Sequence, residues 1–292
     1  MIVEEGIVAT SPHFLCPPWS GRYGVEVYST TRVGGFSNKP YDSLNLGLHV
    51  NDDVEQVARN RRRVRDELNL RQEPLWLNQV HGNAIVKAED YLPAFSLKRS
   101  TDSSSTSAIP QADGAWTQQR NLPLAVLTAD CLPVVLATSA HDAYSVQPKS
   151  IAVAHAGWRG LAAGVLQNAI TELNAKPASI AAWLGPAIGA DAFEVGADVV
   201  DAFTTTLPGC EDEYFRKREV TWVDEQVSAH MREEKWLCDL YGLARRILNE
   251  SGITEISGGN HCTFRDRELF YSYRRDGMTS GRMATYAIIR DN

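Results

Sequence analysis

The sequence lacks the features of a membrane or exported protein. It has no run of about 18 apolar residues, so no segment is expected to span a membrane. The N-terminal stretch MIVEEGIVATSPHF has an acidic front and no apolar core region, so we expect no secretory signal. The five cysteines include no CxxC motif and are odd in number. Together these absences predict a cytoplasmic protein with free thiols.

The sequence also lacks an excess of positive charge. Lys and Arg number 29 against 36 Asp and Glu, which gives a net charge of −7. This balance argues against non-specific binding to nucleic acid or to an anionic membrane. It does not exclude a small anionic substrate, because a local basic pocket can exist on an acidic protein.

Size and composition are those of a globular enzyme. The chain has 292 residues, of which 43% are hydrophobic and 22% charged, and such a chain can bury a large core. Strand and helix patterns mix without strict alternation or a fixed repeat. We therefore predict one α+β domain over residues 1–292, with layered, mostly mixed sheets. A Ser/Thr-rich stretch near residues 95–111 predicts a flexible insertion, and LFYSYRRDG at 269–277 predicts a strand.

The apolar stretch NLPLAVLTADCLPVVLA carries an acid and a thiol, Asp130 and Cys131, side by side. A carboxylate is unfavourable inside a buried strand. Pro133 predicts that the strand ends at this point. Neighbouring residues on a regular strand face opposite ways. A regular strand would therefore keep Asp130 out of the pocket of Cys131 and leave it to anchor the turn.

Three segments share the form of an apolar strand followed by reactive polar residues: LWLNQVHG, AVLTADC and IAVAHAGWRG. They place His81, Cys131 and His155 at strand ends, where functional sites are often built. One thiolate and two imidazoles with an open position are typical of a catalytic zinc site. The pattern therefore predicts a metal site at these residues.

A second hypothesis uses two of the same residues. Cys131 and His155 fit the nucleophile and base of a cysteine hydrolase, with Asp130 or Asn78 orienting the imidazole. His81 separates the two hypotheses, because a catalytic dyad does not need it and a three-ligand metal site does. Both remain open at this point.

The segment HAGWRGLAAG suggests an anion site. Gly157 and Gly160 permit close backbone approach ahead of a helix, where N–H groups and Arg159 could hold a phosphate or carboxylate. Further candidates for substrate or phosphate binding are Arg32, Asn78, Gln79 and Arg274.

The motifs NQVHG, TADCLPV, AHAGWRG, LGPAIG and YSYRRDG…GRMA, with TTRVGGFS…LNLGLHVNDD before them, resemble the laccase-domain family. Its members are also known as polyphenol oxidases, purine nucleoside phosphorylases and peptidoglycan-editing-factor-like proteins. The resemblance covers nearly the whole chain, about residues 25–289. It implies a layered α/β/β/α domain, similar to a toxin deamidase with a Cys–His dyad, and a metal held by His81, Cys131 and His155.

The resemblance implies phosphorolysis of adenosine, inosine and S-methyl-5′-thioadenosine, and deamination of adenosine. Copper-dependent oxidation of phenols and Cys–His hydrolysis of peptidoglycan precursors are its alternatives. Seven histidines without a His-x-His pair argue against a multi-copper cluster, although copper could occupy one N/S site. We predict a zinc-dependent purine nucleoside enzyme with Cys131, Asp130 and Arg159 as catalytic residues. Asp130 would move a proton or orient a ligand.

Overall fold

The computed structural model describes residues 3–4, 7–11, 13–21, 24–91, 109–138, 149–218 and 234–291. Residues 95–108, which make up most of the Ser/Thr-rich stretch predicted as a flexible insertion, lie outside these ranges. Among the helices of the described ranges, none combines the length and the apolar character that a membrane crossing requires.

Two six-stranded sheets form the centre of the molecule. The first is antiparallel, in the order β1-β2-β3-β4-β15-β7. Its strands are β1 (Val3–Glu4), β2 (Ile7–Ser11), β3 (Phe14–Cys16), β4 (Val25–Thr30), β7 (Leu124–Thr128) and β15 (Met283–Ile289). The second is mixed, in the order β14-β10-β8-β9-β6-β5, with parallel pairs at both edges. Its strands are β5 (Ile85–Lys87), β6 (Gly114–Thr117), β8 (Leu132–Thr138), β9 (Ile151–Ala156), β10 (Ile180–Leu184) and β14 (Glu255–Gly258).

The described part of the chain also contains a small third sheet, seven α-helices and three short 3₁₀-helices, Ala88–Tyr91, Pro177–Ser179 and Gly277–Thr279. The small sheet consists of β11 (Glu194–Val195), β12 (Phe215–Lys217) and β13 (Trp236–Cys238). The helices are α1 (Val54–Glu67), α2 (Trp158–Ala162), α3 (Val165–Leu173), α4 (Ala197–Thr206), α5 (Glu211–Tyr214), α6 (Leu240–Glu250) and α7 (Tyr273–Asp276).

The central strands β7, β8, β9, β10 and β15 are buried on both faces, which produces four layers. Along β8, Leu132, Val134 and Leu136 pack in the same cluster as α2, α3, α4 and α6. Val135 and Ala137 of the same strand instead pack in the cluster between the two sheets. On the outer face of the first sheet, side chains of β7 and β15 form a third cluster with Val64 of α1. This alternation with a period of two gives the α/β/β/α order, so the predicted mixed α+β domain is confirmed.

Two local predictions are wrong. Pro133 does not end a strand: it lies inside β8, paired with His155 of β9, while β7 has already ended at Thr128. The segment 269–277 forms no strand, because Ser272 caps α7 by accepting a hydrogen bond from the N–H of Arg275. Residues 129–131 are a turn that carries the chain from the first sheet to the second.

Candidate metal centre

The fold brings together the three residues predicted as metal ligands. Cys131 lies in the turn between β7 and β8, His155 on β9, and His81 in the loop before β5. One ligand atom from each lies within 4.8 Å of the other two. The two imidazole rings meet edge to face, with centroids 4.9 Å apart. His81 is exposed and His155 is buried, so the group faces solvent on the His81 side.

A buried carboxylate that the sequence prediction missed organises this group. Asp113, just before β6, is fully buried, and its Oδ1 accepts a hydrogen bond of 2.8 Å from Nδ1 of His155. The same carboxylate accepts the N–H groups of Val80, His81 and Gly82 at 3.2, 2.9 and 2.6 Å. Asp113 thus fixes the loop of His81 and the ring of His155 together. It leaves Nε2 as the ring nitrogen of His155 that is free to bind a ligand.

The residue that orients the His155 imidazole is Asp113 and differs from the predicted one. The hypothesis of a cysteine hydrolase assigned this role to Asp130 or Asn78, and the structure gives it to Asp113. In the sequence, a single Asp in ADGAW carries no motif. Its side-chain partners lie 31 to 42 residues away along the chain, so local pattern could not identify it.

The charges of the group favour a thiolate. Burial raises the pKa of Cys131, but the charge and the hydrogen bonds of His155 and His81 outweigh burial and lower it to about 6. Burial lowers the pKa of His155, but the Cys131 thiolate and Asp113 raise it to about 9. Burial likewise acts against ionised Asp113, yet the hydrogen bonds from His155 and Gly82 hold its pKa below the usual value. The thiolate is the form of cysteine that binds metals and attacks carbon.

The glycines of HAGWRG are needed for packing at this group. A Cβ on Gly157 would lie 3.0 Å from Sγ of Cys131 and 3.5 Å from Cδ2 of His81. A Cβ on Gly160 would lie 2.5 Å from the carbonyl oxygen of Gly82. The turn after β9 therefore presses its backbone against two of the three candidate ligands, which accounts for both glycines.

Asp130 lies beside the group and is occupied by other partners. Its backbone has a φ of 86°, so the chain is not a regular strand there. Its buried carboxylate accepts hydrogen bonds from Oγ1 of Thr263 (2.6 Å), Oγ of Ser272 (3.0 Å) and the N–H of Arg274 (2.6 Å). Asp130 thus ties the turn of Cys131 to two C-terminal segments. Its role as a proton-transfer group stays a prediction.

Two predicted substrate residues make structural contacts elsewhere. Arg32 donates to the carbonyl of Asp42 at 2.8 and 3.0 Å and lines a cavity that contains none of the three candidate ligands. The side-chain amide of Gln79 bonds both the N–H and the carbonyl of Leu127, at 2.7 and 2.9 Å. Gln79 therefore secures the loop of His81 to β7.

The other three predicted residues are exposed. Arg159 stacks on Trp158, with its guanidinium carbon 4.3 Å from the ring centroid. The guanidinium of Arg274 donates to the carbonyl of Glu194 at 2.7 Å. Asn78 pairs through its backbone with Gln111 in an isolated bridge. Roles of these residues in binding substrate stay predictions.

Arg282 lies near the group and was not predicted from the sequence. It directly precedes β15, whose first residue, Met283, pairs with Thr128 of β7. Burial lowers the pKa of its guanidinium, and the negative charges of Cys131 and Asp130 act in the opposite direction. The motif GRMA contains this arginine, but without the pairing of β7 with β15 nothing placed it beside Cys131.

The donor set fits a borderline-soft metal ion. It offers one sulfur and two imidazole nitrogens, which are typical ligands of zinc. A thiolate is favoured at neutral pH, and Asp113 orients one of the imidazoles. In the described ranges, this is the single group of three or more His, Cys, Asp or Glu residues close enough to hold an ion.

Comparison with known proteins agrees with the motifs. A family model described as "Multi-copper polyphenol oxidoreductase laccase" matches residues 26–290. Purine nucleoside phosphorylase YfiH of Escherichia coli K12 is 40% identical over 276 residues, covering 93% of this chain and 97% of that protein. Purine nucleoside phosphorylase of Haemophilus influenzae is 39% identical over 269 residues, covering 92% and 96%.

Solved structures show the same fold. A crystal structure of a Neisseria meningitidis protein is 39% identical, with a TM-score of 0.75, and covers 98% of this chain and 100% of its own. YlmD of Geobacillus stearothermophilus is 30% identical, with a TM-score of 0.78, and covers 99% and 100%. Family model, relatives and structures all span almost the full length, and the chain therefore belongs to the laccase-domain family.

Proposed function

We propose that this chain is a zinc-dependent purine nucleoside phosphorylase. Its substrates would be adenosine, inosine and S-methyl-5′-thioadenosine, and it would also deaminate adenosine. Relatives named purine nucleoside phosphorylase at 37 to 41% identity support the first activity. The observation that carries the proposal is the grouping of the Cys131 thiolate with His81 and His155, in which Asp113 is hydrogen-bonded to His155.

His81, Cys131 and His155 would hold the zinc ion. Three protein ligands leave one position open for water or substrate, as in catalytic zinc sites. A bound zinc supplies a Lewis acid and lowers the pKa of water at that position. Asp113 keeps the His155 ring in one orientation, and Gly157 leaves room for the Cys131 sulfur.

Phosphorolysis sets further demands on the site. An oxygen of hydrogen phosphate forms a bond to C1′ of the ribose while the bond from C1′ to N9 of the purine breaks. The electron pair of that bond goes to the base, and the proton of hydrogen phosphate ends on the base. The protein must therefore bind a dianion and a nucleoside side by side in a fixed orientation. The exposed side of the group, next to His81, is where both could enter.

One observation supports a different function. The His155 imidazolium is hydrogen-bonded to the Cys131 thiolate and to the Asp113 carboxylate, which is the arrangement of a cysteine hydrolase. Such an enzyme would cleave an amide, for example in a peptidoglycan precursor. The proximity of His81 favours the metal site, because the hydrolase does not need this residue. A copper oxidase is supported by the description of the family model alone.

Metal analysis of untagged protein, followed by adenosine turnover with and without phosphate, tests the proposal. We expect about one zinc per chain and phosphate-dependent release of adenine, both lost in His81→Ala and Cys131→Ala. Cys210→Ala and His261→Gln, which remove a thiol and an imidazole away from the group, should keep both. If the folded ligand variants still turn over adenosine, the metal role fails. Inactivation by alkylation but not by chelators would support the hydrolase.

A further inference from the structure

Arg282 projects from a fixed point next to the metal centre. The pairing of Met283 with Thr128 places it beside the turn of residues 129–131. The backbone N–H of Arg282 donates to Oδ1 of Asn45 at 2.8 Å. A Cβ on Gly47 would lie 2.8 Å from its Cγ, so the aliphatic part of the side chain packs directly on the backbone there. The guanidinium is therefore held in place before any ligand arrives.

The guanidinium of Arg282 has spare donors. Nη1 donates to the carbonyls of Ser280 and Gly281, at 2.8 and 3.0 Å. Within the described ranges, no carboxylate pairs with it, and Nε and Nη2 have no acceptor. Arg290, at the other end of β15, differs: it pairs with Glu26 at 2.7 Å and bonds two carbonyls as well. A half-buried arginine that makes no ion pair within the described ranges and keeps free donors is a suitable partner for an anionic ligand.

Charges of both signs act around Arg282, from Cys131 and Asp130 on one hand and from Arg61 through their common neighbour His49 on the other, and the surroundings stay open. Arg61 and His49 lie on the same side, and burial together with the charges of Arg282 and Arg61 lowers the pKa of His49. The ring of Tyr273, which is about half exposed, has its centroid 5.8 Å from the Arg282 guanidinium carbon. A ligand can therefore approach Arg282 from solvent along Tyr273.

We propose that Arg282 binds the phosphate co-substrate at the edge of the metal centre, a role that rests on the proposed phosphorylase function. A planar guanidinium whose Nε–Nη2 edge is free can bind two oxygens of hydrogen phosphate at once. The adjacent turn carries Cys131, so phosphate on Arg282 lies next to the position where the nucleoside reacts. This assignment replaces Arg32, which is engaged in a separate cavity, and differs from Arg159, which stacks on Trp158.

Steady-state kinetics with Arg282→Gln and Arg282→Lys test the assignment. At saturating adenosine, we expect the KM for phosphate to rise at least about tenfold in Arg282→Gln, because this variant loses a charge-assisted bidentate contact. Arg282→Lys keeps the charge and should fall between Gln and wild type. The KM for adenosine and the zinc content should stay near wild type in both. Arg246→Gln, which changes the net charge equally on α6, should leave the KM for phosphate unchanged.

Equilibrium dialysis of labelled phosphate against the zinc-loaded protein, without nucleoside, gives a second readout. A wild-type KM for phosphate in folded Arg282→Gln, or unchanged phosphate binding, overturns the assignment. If the wild type releases no adenine with phosphate, the proposed function fails, and dialysis alone decides on Arg282. Loss of binding in the variants then supports the site, and absence of binding to wild type overturns it. Should Arg282→Gln fail to fold, Arg282→Lys is judged by the same criteria.

Discussion

Replacing Asp113 by Asn tests whether one carboxylate holds the candidate metal centre together. The carboxylate accepts four hydrogen bonds, from Nδ1 of His155 and the N–H groups of Val80, His81 and Gly82. An Asn amide keeps one acceptor oxygen and turns an NH₂ group towards the donors on its other side. We therefore expect two of the four bonds to be lost.

The size of the effect follows from burial. A hydrogen bond to a charged group contributes about 1.5–3 kcal/mol. The loop donors are partly exposed, and water can replace their partner, so the lower value applies and the total is about 3 kcal/mol. For a chain of this length, that loss corresponds to a Tm lower by roughly 5 °C. Zinc affinity should fall about 10- to 100-fold, because the imidazole of His155 is no longer oriented.

Thermal unfolding of the metal-free protein and zinc competition with a chromophoric chelator measure the two effects separately. Asp266→Asn is a matched control, because Asp266 also faces a histidine, His261, but at 3.6 Å and away from the group. It should leave zinc affinity unchanged. An Asp113→Asn protein that binds zinc within about twofold of wild type would refute the orienting role.

Three further predictions concern the same region. In metal-free protein, alkylation of Cys131 should accelerate as the pH rises through about 6. The thiolate–imidazolium pair of Cys131 and His155 should stabilise the fold only between about pH 6, below which the thiolate is protonated, and about pH 9, above which the imidazolium loses its proton. Urea unfolding across this pH range measures that contribution. Asp130→Asn should cost about 1.5–3 kcal/mol in urea unfolding and keep zinc, whereas a large fall in kcat with unchanged stability would instead mark Asp130 as a proton-transfer group. Tyr241→Phe leaves the N–H of Ala187 without its 2.6 Å partner, so it should cost about 1–3 kcal/mol without altering zinc affinity.

The elements that follow a simple period could be predicted from the sequence. Strands such as β8 and β9 are apolar on both faces, and burial on both sides produces that pattern. The ends of these strands could be predicted less well. Pro133 is accommodated near the start of β8, where its carbonyl accepts a hydrogen bond from Gly185. The segment before α7 is held instead by Ser272 and by the carboxylate of Asp130, 142 residues earlier in the chain.

The candidate ligands were predictable because each lies in or directly after an apolar segment of the sequence, and their supporting residues were not. His81, Cys131 and His155 share a local context that sequence can show. Asp113 and Arg282 acquire their positions through pairing between distant strands, β6 with β9 and β7 with β15. The sequence thus indicated which atoms could bind a metal. The groups that orient them and supply positive charge depend on tertiary structure.

The turn at residues 129–131 joins the two sheets. Because of this position, the stability of the whole fold depends on whether an ion occupies the site. Cys131 belongs to the junction, while His155 belongs to the second sheet alone. An ion bound by both would tie the junction to the second sheet, and the unfolded chain could not bind it with comparable affinity. By mass action, free zinc at a hundredfold excess over its dissociation constant would add about 2.7 kcal/mol to the free energy of unfolding. The supply of the ion in the cell would then control the lifetime of the folded protein in addition to its catalytic rate.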